Sequence, residues 1–129
     1  MPDTPRLGLL LFAHGARDPG WATPFKEIQR RLLAAGPTWP VELAFLEWMA
    51  PTLDQAAERL VAQGVATVLV VPLFMAQGGH IKQDLPRLLA ELGQRHPAVT
   101  FRVTSAVGEI PEILDALAGW IGREGQNLL

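Results

Sequence analysis

Stretches of near-continuous apolar character alternate four times with stretches whose apolar positions recur at helical spacing. Leu7–Ala13 and Ala66–Phe74 are almost unbroken apolar runs, the habit of strands covered on both faces in a parallel sheet. Val41–Leu46 and Val99–Ser105 supply two further predicted strands. The first helix is expected from about Thr23 or Pro24 to Ala35, turning Phe25, Ile28 and Leu32 inward until Gly36-Pro37 stops it. The second opens at Thr52, an N-cap with Gln55 three residues on, and turns Leu53, Ala57, Leu60 and Val61 inward before Gly64. The third is expected over Leu85–Arg95, with Leu85, Leu88, Leu89 and Leu92 inward. Asp84 as its N-cap would place Pro86 in the first turn, where a missing N–H costs little. His80 then falls in the loop before that helix. The fourth helix is expected over Ile110–Arg123, with Ile110, Ile113, Leu114, Leu117 and Ile121 inward.

Strand and helix in strict alternation predict an α/β fold: a four-stranded parallel sheet with helices on both faces, one domain over residues 1–129. Right-handed crossovers leave few topologies, and the flavodoxin-like strand order 2-1-3-4 is the natural one. Ligands of such sheets bind beyond the carboxyl ends of the strands where strand order reverses, here between strands one and three. His14 follows the first strand. His80 follows the third by way of Met75-Ala76-Gln77-Gly78-Gly79. Two imidazoles at that edge point to a metal or proton-transfer site.

Other residues fall at the same edge. Gly15 permits close approach of backbone or ligand. Glu47 closes the second strand and is either a solvated loop carboxylate or a proton acceptor or oxygen ligand beside the histidines. Trp48, Met49, Phe74 and Met75 flank the crevice, as core or as the wall for a large flat ligand. Arg17 and Lys82 could meet an anionic substrate. His96, at a helix end before Pro97, reads as a partner for the helix dipole.

Composition narrows the chemistry. The formal net charge of −2 gives no general attraction to nucleic acid or an anionic membrane. Cysteine is absent, which excludes disulfides, iron–sulfur clusters and thiolate zinc sites. Any metal is therefore held by imidazole or oxygen. No apolar stretch is long enough to span a bilayer, and the first residues lack a basic-then-apolar leader, so the cytoplasm is the expected compartment. Ser105, the single serine, has no G-x-S-x-G setting. There is no P-loop, and the absence of G-x-G-x-x-G after the first strand argues against a dinucleotide site. No organic cofactor is expected.

Three segments in register resemble one family. His14-Gly15-Ala16-Arg17-Asp18-Pro19, then Ala44-Phe45-Leu46-Glu47 with Pro51-Thr52-Leu53, then Pro72-Leu73-Phe74-Met75 through Gly79-His80 to Asp84-Leu85-Pro86, are similar to motifs of the small sirohydrochlorin chelatases, the cobaltochelatase type of class II tetrapyrrole chelatase. Gly108 and Pro111 echo a weaker motif. Ala16 stands where the family usually has serine, so a hydroxyl beside the first histidine is missing. The resemblance implies insertion of a divalent metal substrate (cobalt, iron or nickel) into a sirohydrochlorin-type tetrapyrrole, for cobalamin or sirohaem. It implies His14 and His80 as metal-binding and catalytic residues with Glu47, substrate contacts at Arg17, Met75, Gly79 and Lys82, and pairing of two short chains as a homodimer. Two other readings use the same histidines: a divalent-metal carrier that never touches a tetrapyrrole, and a regulatory lobe without catalysis.

Overall fold

A computed structural model describes residues 6–36, 38–76 and 78–129, and for His80 the backbone. Four parallel strands, β1 (Leu7–Ala13), β2 (Val41–Phe45), β3 (Thr67–Pro72) and β4 (Thr100–Val103), pair in the order β2-β1-β3-β4. β1 lies opposite β2 from Leu9↔Val41 to Ala13↔Phe45, and opposite β3 from Leu7↔Thr67 to Phe12↔Pro72. The helices are α1 (Thr23–Ala34), α2 (Leu53–Ala62), α3 (Gly79–Arg95) and α4 (Pro111–Gln126). The expected strand order is therefore present, with its reversal between β1 and β3.

The two-residue period of a strand divides the apolar runs between two faces. Leu10 and Phe12, with Ala44, Val68 and Val70, pack against Leu53, Ala56, Ala57 and Leu60 of α2 and Leu85 and Leu92 of α3. Leu9, Leu11 and Ala13, with Val41, Leu43 and Phe45, face Phe25 and Leu32 of α1. The α2 capping box is formed: Gln55 N–H donates to Thr52 Oγ1 at 3.2 Å, and Thr52 N–H to Gln55 Oε1 at 2.9 Å. Gly64, at φ +83°, follows the end of α2.

The third helix begins six residues earlier than the sequence reading places it. Gly78 is its N-cap, His80 lies in its first turn, and Pro86 sits inside it. Asp84 caps nothing; its carboxylate lies 3.7 Å from Arg87. An internal proline removes one hydrogen bond and crowds the carbonyl of Lys82, at a cost of about 3 kcal/mol. The apolar stripe Ile81, Leu85, Leu88, Leu92 offsets it, because all four pack on the α2–α3 core and fixing that stripe requires helix on both sides of the proline. A 3-10 turn over Pro19–Ala22 was not expected; Asp18 Oδ1 accepts from Gly20 N–H at 2.9 Å, and Ala22 is buried.

The fourth helix forms, but its expected inward face does not turn inward. None of its residues is buried, and Leu114, Leu117 and Ile121 are exposed. α4 leaves the sheet at its first turn, so amphipathic spacing gave the helix but not its partner.

Candidate functional site

The site edge is built by main-chain bonds that continue past the strands. Leu46 N–H donates to the Ala13 carbonyl at 2.9 Å, Glu47 N–H to the His14 carbonyl at 3.0 Å, and Leu73 N–H to the Phe12 carbonyl at 2.8 Å. The loops after β1, β2 and β3 are thus tied into one rim at the topological reversal. Gly15 makes this possible. Its φ is +90°, in the left-handed region, and a Cβ there would run into the carbonyl oxygen of Glu47.

His14 is solvent-exposed, and its ring rests on Phe74 with centroids 4.3 Å apart. Phe74 is 2% exposed and meets Phe12 edge-on at 5.8 Å. The imidazole at the rim therefore stands on a buried aromatic floor. Phe74 is core and not a ligand wall, and Met49 is largely packed into the α1-side core. Trp48 and Met75 do face solvent.

Trp48 combines two costs. It is 59% exposed, and its φ of 71° lies in the left-handed region, which strains a bulky side chain by about 1–2 kcal/mol. Its contact is Arg17, whose guanidinium carbon sits 4.1 Å from the ring centroid. This stacks a cation on an exposed aromatic beside Glu47 and His14.

The other half of the rim is the β3–α3 connection. Met75 is exposed, Gly79 opens α3, and Lys82 projects to solvent while its N–H donates to the Gly78 carbonyl at 3.0 Å. Gly108 fixes this segment. Its N–H donates to the Phe74 carbonyl at 3.0 Å, and a Cβ on it would overlap the Met75 backbone. The sequence offered Gly108 only as part of a motif; its steric role needs the fold. His96 caps the far end of α3 through its N–H to the Leu92 carbonyl, away from this edge.

Among the described residues, no three His, Asp or Glu groups converge as a metal cage. The cavity beside Leu46, between Ile81, Asp84, Leu85 and Leu88, measures about 250 Å3. That lies below the roughly 300–1,000 Å3 of enclosed small-molecule sites, so this edge is an open face and not an enclosed pocket. No helix is long and apolar enough to cross a membrane among the described residues.

Known proteins share this fold. A crystal structure described as a cobalamin (vitamin B12) biosynthesis CbiX protein from Marinobacter aquaeolei superposes with a TM-score of 0.82 at 29% identity, covering 94% of this chain and 98% of that one. The sirohydrochlorin chelatase SirB from Bacillus subtilis, in complex with cobalt, shares the fold with a TM-score of 0.78 at 24% identity. It matches 92% of this chain but 50% of SirB. A protein named sirohydrochlorin cobaltochelatase from Saccharolobus islandicus is 41% identical over 86 residues, 64% of this chain and 63% of that relative's length. The CbiX family model matches residues 8–123, and the chain belongs to the CbiX family.

Proposed function

We propose that this protein is a sirohydrochlorin chelatase that inserts a divalent metal, cobalt or iron, into the tetrapyrrole. The observation that carries this reading is His14, an exposed imidazole seated on Phe74 and joined through its own carbonyl to Glu47 at the reversal of strand order. The family match and the names of the relatives support it.

Insertion exchanges two pyrrole N–H protons for one divalent ion. The site needs ligands that release the ion and a base that takes the protons. Neutral imidazoles hold borderline divalent ions at neutral pH, and a two-histidine set is weaker than a closed four-ligand cage. His14 and His80 are assigned to the metal and Glu47 to the protons. Trp48, steadied by Arg17, gives the flat ring a stacking surface. Arg17 and Lys82 meet the peripheral carboxylates, and Met75 and Gly79 border the ring. The reading includes a homodimer in the cytoplasm, with the macrocycle held between the open rims of two lobes.

The test is an anaerobic absorbance time course of sirohydrochlorin with cobalt(II), then iron(II) and nickel(II), with and without catalytic amounts of protein. Acceleration that disappears in His80→Ala is the expected result. No acceleration with any of the three metals, from folded protein, overturns the reading; metal binding without tetrapyrrole binding would assign a carrier instead.

A further inference from the structure

A cleft opens beside the site on the α2–α3 side of the sheet. Phe12 of β1 forms its floor, Leu46 one wall, and Ile81, Leu85 and Leu88 of α3 the other. It holds about 250 Å3, and a second hollow of about 180 Å3 adjoins it, bordered by the same Phe12, Leu46 and Leu88. That space is too small for a macrocycle but takes one substituent at its edge. Leu46 is 39% exposed, an apolar side chain left without full cover directly before Glu47. Its N–H donates to the Ala13 carbonyl at 2.9 Å, which holds it at the rim. The floor of the cleft also reaches His14, since Phe12 meets Phe74 and Phe74 carries the imidazole.

The polar groups around this space are already engaged. Arg87, at the mouth, pairs with Asp84 at 3.7 Å and with Glu91 at 2.9 Å. Asp54, beside the smaller hollow, pairs with Arg95 at 2.8 Å, and Thr52 Oγ1 accepts from Gln55 N–H. Two carboxylates share one guanidinium at the mouth, so an incoming carboxylate finds no free cation there and meets net negative charge. What remains open to a ligand is apolar wall.

We propose that this cleft receives a ring methyl group of the tetrapyrrole, and that Leu46 with the α3 stripe selects a C-methylated macrocycle over an unmethylated one. The inference rests on the chelatase reading and deepens it. Sirohydrochlorin carries methyl groups on saturated ring carbons, where they stand out of the macrocycle plane. Uroporphyrin III carries the same acetate and propionate groups and no ring methyl. Carboxylates therefore do not tell the two apart, whereas an apolar cleft under the ring edge does. A methyl-sized difference in an apolar pocket is worth about 10–200-fold.

Metal-free absorbance titrations with sirohydrochlorin and with uroporphyrin III test this. The wild type should bind sirohydrochlorin about 10-fold or more tightly than uroporphyrin III. Leu46→Asn places an amide in the wall, and Leu46→Trp fills the cleft. Each should lose most of that preference, chiefly through weaker binding of sirohydrochlorin, with circular dichroism unchanged. A wild type that binds both equally, or a Leu46→Asn protein that keeps the full preference, overturns the assignment. Binding is read without metal, so the two readings fail separately. Accelerated insertion without the methyl preference overturns the cleft alone. Methyl-selective binding without accelerated insertion overturns the chelatase reading and upholds the cleft.

Discussion

The main-chain N–H of Glu47 donates to the carbonyl of His14 at 3.0 Å, just beyond the last paired residues of β1 and β2, Ala13 and Phe45. The imidazole and the carboxylate assigned to chemistry are therefore neighbours through their backbones, and Gly15 holds the spacing. Gly15→Ala forces a Cβ against the Glu47 carbonyl at a φ of +90°. The expected result is a loss of about 2 kcal/mol or more, seen as a melting temperature several degrees lower, with metal insertion reduced beyond what the unfolded fraction explains. An unchanged melting temperature and rate would remove Gly15 from the site.

Glu47→Gln keeps the backbone bond and removes the proposed base. Metal binding by calorimetry should persist while insertion slows by about 10²-fold or more. A variant with the wild-type rate would show that another group takes the pyrrole protons.

Trp48→Gly separates strain from binding. Glycine accepts the left-handed backbone, so stability should rise by about 1 kcal/mol, read from the denaturant midpoint. Loss of the exposed ring should raise KM for the tetrapyrrole, with a smaller effect on kcat. An unaltered KM would leave the strained tryptophan without a role in binding.

Pro86→Ala tests the internal proline of α3. Restoring one N–H and removing the crowding at Lys82 should stabilise the fold by up to about 3 kcal/mol. The same change alters the path of the first turn, where Gly79, His80 and Lys82 lie, so insertion should slow even as the melting temperature rises. A faster and more stable variant would show that the proline does not set that turn.

Glu27 gives a pH signature. Hydrogen bonds from Arg30 and then Arg31 hold its carboxyl down to about 2 from an ordinary 4.5. The folded value lies below the unfolded one, so this stabilisation is present above about pH 4.5 and fades as pH falls toward 2. All three side chains are solvent-accessible, so the effect is small. Urea midpoints of the wild type and Glu27→Gln should differ at pH 7 and converge toward pH 3; a gap that widens in acid contradicts the pairing.

The fold was legible because hydrophobic period is local information. The runs at Leu7–Ala13 and Ala66–Phe74, the capping box at Thr52 and Gln55, and the alternation of strand with helix were enough to predict a parallel sheet ordered 2-1-3-4. The start of α3 was in the sequence too, as the stripe Ile81, Leu85, Leu88, Leu92. Pro86 hid it, since the cost of an internal proline is local whereas the burial that offsets it comes from packing against α2 and the sheet.

By itself the sequence determined which residues could be strand, helix or site: His14 and Glu47 each follow a strand whatever surrounds them. Tertiary structure decided what those residues touch. The floor under His14 is Phe74, from the segment after β3 more than fifty residues away, and the strained Trp48 stacks with Arg17 across two loops. The close fit of Gly108 to Met75 is also invisible in the linear chain. The fate of α4 follows the same rule. Its apolar stripe is written in the residue spacing, but which surface buries that stripe depends on where the junction after β4 sends the helix. Burial rewards any apolar partner, so spacing specifies a face and geometry specifies its mate.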